Sequence, residues 1–414
     1  MQYIIQAPSH TDATIALPAS KSISNRALII RALSSNAPTL DNVAHCDDTD
    51  VMVRALQSHD EVIDIMASGT AMRFLTAYFS VTPGTHIITG TDRMKQRPIG
   101  VLVHALRKLG AKLTYTENEG FPPLRIEGGA IQGGTLEMAG NVSSQYITAL
   151  MLIAPTLPQG LRIKLVNHIV SRPYIDLTMH LLHEFGAQAE WTDDHEIWIP
   201  HCSYHRERYH VENDWTAVSY WYEMLTLLSD EDSVLRFSGL NDNSRQGDAA
   251  VRRLFSLLGI TSKISGEGEG AQMTLTNRGR QVSRIDYDFT NQPDLAQTLV
   301  VTCVARGVHF CFKGLESLHI KETDRVLALR TELEKVGYLI QEPDKGTLEW
   351  NGERCEPQPI PVIDTYNDHR MAMAFAPLAI TMGEIRINNP EVVSKSYPLF
   401  WNQLQHAGFT ITEV

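Results

Sequence analysis

A helical phrase that ends in glycine recurs along this chain, and it constrains the fold more than any other feature. Its clearest copies read HALRKLGA, HLLHEFGA, RLFSLLGI, TELEKVGY and NQLQHAGF. Their glycines are Gly110, Gly186, Gly259, Gly337 and Gly408. Each phrase has apolar residues at helical spacing, followed by glycine where a left-handed C-cap would end a helix. A shorter relative, VMVRALQSHD, ends at Asp60. The repeat predicts a set of similar modules.

A second helical phrase precedes each of these six. These phrases begin at Ser24, Ser68, Val142, Asp214, Gln292 and Asn367. Ser, Asn and Asp near their starts are typical N-caps. Segments with strand character, such as HIITG, LRIEG, LRIKLVN and IRINN, lie between the helical phrases. The pattern predicts six strand–helix–strand–helix units. With 414 residues, the chain is long enough to group them into two α/β domains.

Composition excludes several classes of protein. The chain is 43% hydrophobic with a net charge of −12, which indicates globular folding and argues against binding nucleic acid or an acidic membrane through overall charge. Five scattered cysteines form no Cys-x-x-Cys pair, which predicts no disulfide framework and a reducing compartment. The start MQYIIQAPSHTD does not resemble a signal peptide, and no run of about 18 apolar residues occurs. We therefore expect a cytoplasmic protein without a membrane partner.

One segment, HCSYHRERYH, contains several histidines and a cysteine and could suggest a metal site. It lacks the spacing of known zinc ligand sets. We interpret it as an ordinary loop and predict no metal.

Polar and basic residues concentrate at the predicted helix starts. The first helices of the units carry Lys21, Ser22, Arg26, Thr70, Arg73, Ser143, Ser144, Gln145, Asp294, Asp368, His369 and Arg370, and the second helices are preceded by Arg97, Arg172, Lys321 with Arg325, or Lys395. A helix N-terminus presents unpaired N–H groups and a partial positive charge, so it favours anions. Cations there are locally unfavourable, which makes a purely stabilising role less expected. The pattern predicts a cleft that binds phosphates and carboxylates.

The phrases at these helix starts resemble those of a known family. The phrases LPASKSISNRALIIRAL, SGTAMRFL, TDRMKQRPI, VSSQYITALML, SRPYIDLT, SRQGD, PDLAQT, KETDR, YNDHRMAMAFA and SKSYP are similar to those of the EPSP synthases, which are enolpyruvyltransferases. The resemblance implies an α/β fold of two similar domains, each of three βαβαββ units, with helix N-termini facing an interdomain cleft. It places residues 18–212 in one domain and residues 1–17 with 213–414 in the other.

The resemblance also implies a reaction. The enolpyruvyl group of phosphoenolpyruvate (PEP) would move to the 5-hydroxyl of shikimate 3-phosphate, with release of phosphate, by addition and then elimination. The hydroxyl must lose a proton while the PEP methylene gains one, so paired acid–base groups are needed. The implied partners are these two small molecules, with no cofactor, and the family suggests a monomer.

Site residues follow from the same resemblance. The catalytic set is Asp294, Glu322, Lys321 and Lys21. The shikimate 3-phosphate set is Lys21, Ser22, Arg26, Ser143, Ser144, Gln145, Ser171, Tyr174, Asp294 and Lys321. The PEP set is Lys21, Gly69, Thr70, Arg97, Gln145, Glu322, Arg325, Arg370 and Lys395. Arginines suit bidentate recognition of carboxylate and phosphate groups.

The sequence departs from the family pattern at three positions. Ala67 stands where Asn is usual, Phe74 where Pro is common, and Asp92 replaces a common Pro. Phe74 adds bulk at the helix that carries Thr70 and Arg73, so we expect an effect on PEP affinity while the reaction class stays the same.

Two alternatives remain. A UDP-N-acetylglucosamine enolpyruvyltransferase would need Lys-Asn in place of Lys21-Ser22 and usually a loop cysteine, which the segment 90–97 lacks. A non-catalytic anion-binding protein would keep the basic helix ends without the acid–base groups, and the presence of Asp294, Lys321 and Glu322 argues against it.

Overall fold

The computed structural model describes residues 1–129, 131–228 and 230–414, which form two compact α/β units. Unit 1 consists of Met1–Ala19 and Glu212–Val414, and unit 2 consists of Ser20–Val211. The domain division at residues 18–212 stays a prediction.

The helices of unit 2 are α1 (Lys21–Leu33), α2 (Asp47–Gln57), α3 (Gly69–Val81), α4 (Asp92–Lys95), α5 (Gly100–Lys108), α6 (Ser144–Ile153) and α7 (Arg172–Glu184). Those of unit 1 are α8 (Trp215–Leu228), α9 (Val251–Ser256), α10 (Ala296–Arg306), α11 (Arg325–Lys335), α12 (His369–Phe375), α13 (Ala379–Met382) and α14 (Phe400–His406).

The strands of unit 2 are β3 (Thr39–Asp41), β4 (Val62–Asp64), β5 (Gly84–Thr89), β6 (Lys112–Tyr115), β7 (Leu124–Gly128), β8 (Gly134–Ala139), β9 (Leu161–Val166), β10 (Glu190–Asp193), β11 (Glu196–Ile199) and β12 (Arg208–His210). Those of unit 1 are β1 (Gln2–Gln6), β2 (Asp12–Ile15), β13 (Val234–Ser238), β14 (Ile260–Ser265), β15 (Gln272–Asn277), β16 (Arg284–Asp288), β17 (His309–Lys313), β18 (Leu348–Trp350), β19 (Val362–Ile363), β20 (Glu384–Asn388) and β21 (Thr410–Glu413).

The sheets of unit 2 repeat one topology. Two of them have the orders β4-β5-β7-β6 and β8-β9-β11-β10. In each, the first two strands are parallel across a helix, and the last two form an antiparallel hairpin that returns to the second strand. A helical crossover is what a parallel pair requires. A small parallel sheet of β12 and β3 completes the sheets among the described residues of this unit.

Unit 1 uses the same plan with contributions from the N-terminal segment. Its sheets have the orders β2-β13-β15-β14, β16-β17-β18 and β19-β20-β1-β21. Strand β1 pairs antiparallel with both β20 and β21, and β2 pairs parallel with β13. The structure therefore places two strands from residues 1–19 in unit 1.

The predicted helix ends are confirmed at the glycines. All five have positive φ, between 86° and 103°, which is the region that favours glycine. Several predicted starts were off by a few residues. The first helix begins at Lys21, three residues before the predicted Ser24, because Ser20 caps it by accepting a hydrogen bond from the backbone N–H of Ile23. The fifth begins as a short 3-10 turn, Pro293–Leu295, before α10.

The core of unit 1 is built around helices that are buried along nearly their whole length. Helices α8, α10 and α12 carry apolar residues on all sides, as expected for buried helices. Trp215, Trp221 and Phe289 are among the fully buried side chains of this core. Burial of each such side chain stabilises the fold by about 1.5–3 kcal/mol. This packing fixes the N-terminal ends of the helices, where the candidate site residues lie.

No described helix is long and apolar enough to span a bilayer. Within residues 1–129, 131–228 and 230–414, no group of three or more His, Cys, Asp or Glu side chains is arranged to hold a metal ion.

Candidate active site

Asp294 lies at the centre of an ion-pair cluster in unit 1. It belongs to the 3-10 turn that precedes α10. Its Oδ1 accepts a hydrogen bond from Nη1 of Arg325 at 2.9 Å, and its Oδ2 accepts one from Nη2 of Arg370 at 2.9 Å. The ammonium nitrogen of Lys321 lies 3.8 Å from Oδ1. Three cations predicted at two different helix starts therefore meet at one carboxylate.

These cations determine the protonation of Asp294. Burial alone would raise the pKa of its carboxyl group, but the charges of Arg370, Lys321 and Arg325 hold that pKa well below its usual range. Asp294 is therefore ionised at neutral pH.

Arg325 is surrounded by carboxylates. Its Nη2 donates to Glu322 at 3.0 Å, and Asp368 accepts from its Nε at 2.7 Å and from its Nη2 at 3.3 Å. Burial would lower the pKa of the guanidinium, but Asp368, Glu322 and Asp294 raise it above its usual value. The side chain is 3% exposed, so its orientation is fixed by these bonds.

Glu322 connects the cluster to two lysines. Its Oε1 lies 3.2 Å from the Nζ of Lys395, which ends the 3-10 helix Pro390–Lys395. Burial lowers the pKa of the neighbouring Lys321, an effect that Asp294 opposes. The cluster thus combines carboxylates and amines that can hold and exchange protons.

Two more residues of unit 1 face this cluster, although sequence analysis left them out of the site. Tyr220 accepts a hydrogen bond from Nη1 of Arg370 at 3.3 Å, and burial raises the pKa of Tyr220 to about 12. Asp248 is buried and accepts a hydrogen bond from the hydroxyl of Thr216. Burial and the charge of Asp294 raise the pKa of Asp248 to about 6. The SRQGD phrase was the available signal for Asp248.

In unit 2, Arg97 packs directly against the start of α3. A Cβ built on Gly69 would lie 2.7 Å from both terminal nitrogens of Arg97. The hydroxyl of Thr70 accepts a hydrogen bond from Nε2 of Gln145 at 3.2 Å. Ser68 caps the helix. Four residues of the predicted PEP set therefore lie at the N-terminal ends of α3 and α6.

Arg73 and Tyr146 hold the backbone beside Arg97. Both donate to the carbonyl oxygen of Pro98, at 2.9 and 2.6 Å. Arg73 also donates to the carbonyl of Gly69 at 3.1 Å. The hydrogen bonds of Arg73 therefore connect the segment that carries Arg97 to α3.

Lys21 and Ser22 occupy the first turn of α1. The ammonium of Lys21 donates to the buried carboxylate of Asp48 on α2, at 3.0 Å. The carbonyl oxygen of Ser22 accepts from Nη1 of Arg26 at 2.7 Å. The partner Asp48 was missed in the sequence because nothing in its own segment indicates that a lysine faces it.

Arg26 is buried among neutral oxygens. Its Nε donates to the hydroxyl of Thr178 at 2.9 Å, and its Nη2 to the hydroxyl of Thr148 at 3.4 Å and the carbonyl of Tyr174 at 3.5 Å. Burial lowers the pKa of Arg26 to about 10. Within the described residues, no carboxylate pairs with this guanidinium.

The predicted serine set lies at two helix starts. Ser143 caps α6 by accepting from the backbone N–H of Gln145 at 3.4 Å, and Ser144 is the first residue of that helix. Ser171 precedes α7 with φ of 55°, in the left-handed region. Tyr174 lies in the first turn of α7. Helix N-termini with hydroxyl side chains suit a phosphate group.

Asp368 is the main residue that the predicted site lacked. It caps α12 by accepting from the backbone N–H of Arg370 at 3.0 Å and also holds Arg325. Sequence analysis placed Asp368 at a helix start, in the position that Asp294 takes in the preceding unit, but did not include it in the catalytic or binding sets.

The chain is similar to known proteins over nearly its whole length. A family model described as EPSP synthase (3-phosphoshikimate 1-carboxyvinyltransferase) matches residues 5–59 and 54–404. A protein named 3-phosphoshikimate 1-carboxyvinyltransferase from Bacteroides fragilis strain YCH46 is 54% identical over 411 residues, which cover 99% of each chain. A protein with the same name from Sulfurovum sp. strain NBC37-1 is 34% identical, over 96% of each chain. Another, from Vibrio cholerae serotype O1 strain M66-2, is also 34% identical, over 94% of this chain and 95% of the other.

Solved structures show the same fold. An EPSP synthase from Acinetobacter baumannii superposes with a TM-score of 0.79 and 19% identity, covering 100% of both chains. The full-length match to the family model and the extent of identity to the relatives lead to one conclusion: the chain belongs to the EPSP synthase family.

Proposed function

We propose that the chain transfers the enolpyruvyl group of PEP to the 5-hydroxyl of shikimate 3-phosphate, giving 5-enolpyruvylshikimate 3-phosphate and phosphate. Family membership supports this reaction. The observation that carries it is the arrangement around Asp294. A carboxylate whose side chain is only 19% exposed is kept ionised by Arg325 and Arg370, next to a second carboxylate, Glu322.

The reaction has two steps. In the first, the 5-hydroxyl oxygen bonds to C2 of PEP, the hydroxyl proton leaves, and a proton adds to the methylene carbon. In the second, a methyl proton leaves as the bond from C2 to the phosphate oxygen breaks, which restores the double bond and releases phosphate. Both steps need a group that accepts a proton and a group that donates one.

Asp294 is the proposed base for the hydroxyl. Its charge is available at neutral pH, but the arginines that ionise it also make it a weak base. An anionic carboxylate or phosphate bound to Arg325 and Arg370 would reduce the positive charge that Asp294 experiences. Its pKa would then rise toward the range in which a base works well, so PEP binding itself would activate Asp294.

Glu322, Lys321 and Lys395 are the proposed proton-transfer groups on the PEP side. Glu322 bridges Lys395 and Arg325, at 3.2 and 3.0 Å. Because Lys321 has a lowered pKa, its proton can be transferred more readily than that of an exposed lysine. Lys21 is the proposed catalytic residue of unit 2.

The remaining proposed contacts are with the substrates' anionic groups. Shikimate 3-phosphate would contact Lys21, Ser22, Arg26, Ser143, Ser144, Gln145, Ser171, Tyr174, Asp294 and Lys321. PEP would contact Lys21, Gly69, Thr70, Arg97, Gln145, Glu322, Arg325, Arg370 and Lys395.

An assay of phosphate release from shikimate 3-phosphate plus PEP tests the proposal. We expect stoichiometric phosphate and 5-enolpyruvylshikimate 3-phosphate, each detected by mass spectrometry, and no product when UDP-N-acetylglucosamine replaces shikimate 3-phosphate. Absence of turnover together with tight binding of both substrates would indicate the non-catalytic alternative. Turnover with UDP-N-acetylglucosamine would indicate the other enolpyruvyltransferase.

We also propose that the enzyme works as a monomer in the cytoplasm. All five cysteines are free thiols, which suits a reducing compartment. Size-exclusion chromatography with light scattering should give a mass near the 46.3 kDa of one chain. A mass near twice that value would contradict the monomer.

A further inference from the structure

Arg26 lies where four helices of unit 2 meet. The residue belongs to α1, and the oxygens that it contacts belong to α1, α6 and α7. An arginine has five N–H donors in one plane. Those four oxygens lie around the edge of the guanidinium and leave one donor for another oxygen.

The same guanidinium also contacts the ring of Phe74 of α3. The central carbon of the group lies 5.5 Å from the centroid of the phenyl ring, within the range of a cation–π contact. Phe74 is 1% exposed and Arg26 is 3% exposed, so water does not weaken the interaction. The electron-rich face of the ring is the remaining partner for a buried charge that has no carboxylate among the described residues.

This contact gives a reason for the unusual residue at position 74. A proline there would offer no ring face to Arg26, and a leucine would fill space without attracting a cation. The bonds from Nη2 to Thr148 and Tyr174 are long, at 3.4 and 3.5 Å, so they hold that side of the guanidinium weakly. The contact with the phenyl ring restricts the movement that these long bonds allow.

We propose that Phe74 is a positioning residue for Arg26: contact with its ring holds the guanidinium in place, so that the remaining donor and the charge are directed at an anionic group of shikimate 3-phosphate. The proposal rests on the proposed function, because it assumes shikimate 3-phosphate as the ligand. It assigns Phe74 a role in binding the shikimate substrate, although α3 begins with Gly69 and Thr70 of the PEP set.

The test compares Phe74→Leu with Phe79→Leu. Both replace a buried phenylalanine of α3, but Phe79 contacts the rings of Tyr78 and His86 and no arginine. Cation–π contacts correspond to roughly 2-fold in affinity at exposed sites and up to roughly 30-fold in desolvated ones. We expect Phe74→Leu to raise the dissociation constant and KM for shikimate 3-phosphate by that factor, while kcat and the KM for PEP change less than about twofold.

A double-mutant cycle separates positioning from general packing. In an Arg26→Lys background, which keeps the charge but lacks the planar group, Phe74→Leu should change kcat/KM for shikimate 3-phosphate by less than about twofold. The inference is overturned if Phe74→Leu has its full effect in this background, or if Phe79→Leu weakens shikimate 3-phosphate binding equally. Thermal unfolding of both variants shows whether their losses of stability are matched.

NMR distinguishes failure of this inference from failure of the proposed function. The Arg26 side-chain resonances, identified by their loss in Arg26→Lys, should be shifted upfield by the ring in the protein without substrate. They should move downfield in Phe74→Leu and stay in place in Phe79→Leu. If the shifts behave so but the wild type does not bind shikimate 3-phosphate, the proposed function is wrong although the contact exists. If the shifts do not respond to Phe74→Leu, the positioning role itself is wrong.

Discussion

Arg325 in unit 1 and Arg26 in unit 2 are both buried arginines near helix starts, yet their surroundings differ in charge. Arg325 contacts three carboxylates, from Asp294, Glu322 and Asp368, and its pKa is raised above the usual value. Arg26 contacts hydroxyl and carbonyl oxygens and a phenyl ring, and its pKa is lowered to about 10 by burial.

This difference in charge suits the two arginines to different roles, proton transfer around Arg325 and anion binding by Arg26. Around Arg325 and Arg370, positive charge is balanced within the protein, so these groups can set the protonation of carboxylates and take part in proton transfer. Around Arg26 the charge is not balanced by a described carboxylate, so an anionic ligand gains more from binding there. We therefore expect unit 1 to contribute most of the acid–base chemistry and Arg26 to contribute mainly to binding.

The largest expected effect comes from removing the carboxylate at the centre of the balanced cluster. Asp294→Asn keeps the shape of the side chain but cannot accept the hydroxyl proton. We expect kcat to fall by roughly 10²–10⁴-fold, the usual contribution of an acid–base group, with shikimate 3-phosphate still bound. Asp286→Asn, which changes an exposed aspartate of the same unit, is the matched control. Near-normal turnover of Asp294→Asn would rule out its role as the base.

Arg370→Ala and Arg97→Ala test whether the cluster controls proton transfer. Each removes a proposed PEP contact, and loss of a charged hydrogen bond corresponds to about 1.5–3 kcal/mol, or roughly 10- to 150-fold in PEP affinity. Of these two arginines, Arg370 is the one that also lowers the pKa of Asp294. Because Asp294 must be ionised to act, activity is lost as pH falls through its pKa, and a higher pKa moves that loss to higher pH.

The acid limb of the kcat profile should therefore shift upward in Arg370→Ala and stay unchanged in Arg97→Ala. Rate measurements from about pH 4 to 9, combined with calorimetric titration of PEP, provide the comparison. Identical pH profiles for the two variants would contradict the link between Arg370 and Asp294.

Much of this architecture could be predicted from the sequence. The features that could not be predicted all depend on contacts between segments far apart in the chain. The glycines that end helices and the polar residues that begin them are local signals, so Gly110 and Ser143 were identified correctly in their roles. Strand order was not readable, because it depends on pairing between distant segments. The pairing of Asp48 with Lys21 and of Asp368 with Arg325 was not predicted for the same reason. Asp48 lies 27 residues from Lys21, and Asp368 lies 43 from Arg325.

A smaller effect on activity is expected from a substitution at Gly69, whose backbone packs against the guanidinium of Arg97. Gly69→Ala would place a methyl carbon 2.7 Å from the guanidinium nitrogens, and the flexible end of Arg97 must move away. Folding should be little affected, but displacement of a positioning group by about 1 Å can reduce kcat/KM by up to roughly 100-fold. We expect a loss of about 10- to 100-fold, mainly through PEP. Gly129→Ala, where a Cβ meets no atom within 4 Å, is the control. An unchanged KM for PEP in Gly69→Ala would show that Arg97 does not bind PEP.

Glu223 shows what happens to a carboxyl group in unit 1 that has no arginine beside it. It lies in the middle of α8, is 0% exposed, and neither oxygen has a hydrogen-bond partner among the described residues. Burial raises its pKa well above the ordinary value of 4.5, so the folded protein keeps this group protonated. Asp294 is the opposite case, since its cations keep it ionised although its side chain is only 19% exposed.

The contrast predicts a pH-dependent gain in stability for Glu223→Gln. Above pH 4.5, Glu223 is ionised in the unfolded chain but protonated in the folded protein. The contribution of Glu223 to the free energy of unfolding is therefore fully present at low pH and is lost as pH rises. The loss amounts to about 1.4 kcal/mol per pH unit until the pKa of the folded state is reached. Glutamine cannot ionise, so the variant should unfold at a higher temperature than the wild type at pH 7, and the gap should shrink toward pH 4. Thermal unfolding at several pH values measures the gap, with the exposed Glu356→Gln as control. A gap that does not vary with pH would mean that Glu223 is ionised in the folded protein and has a cationic partner after all.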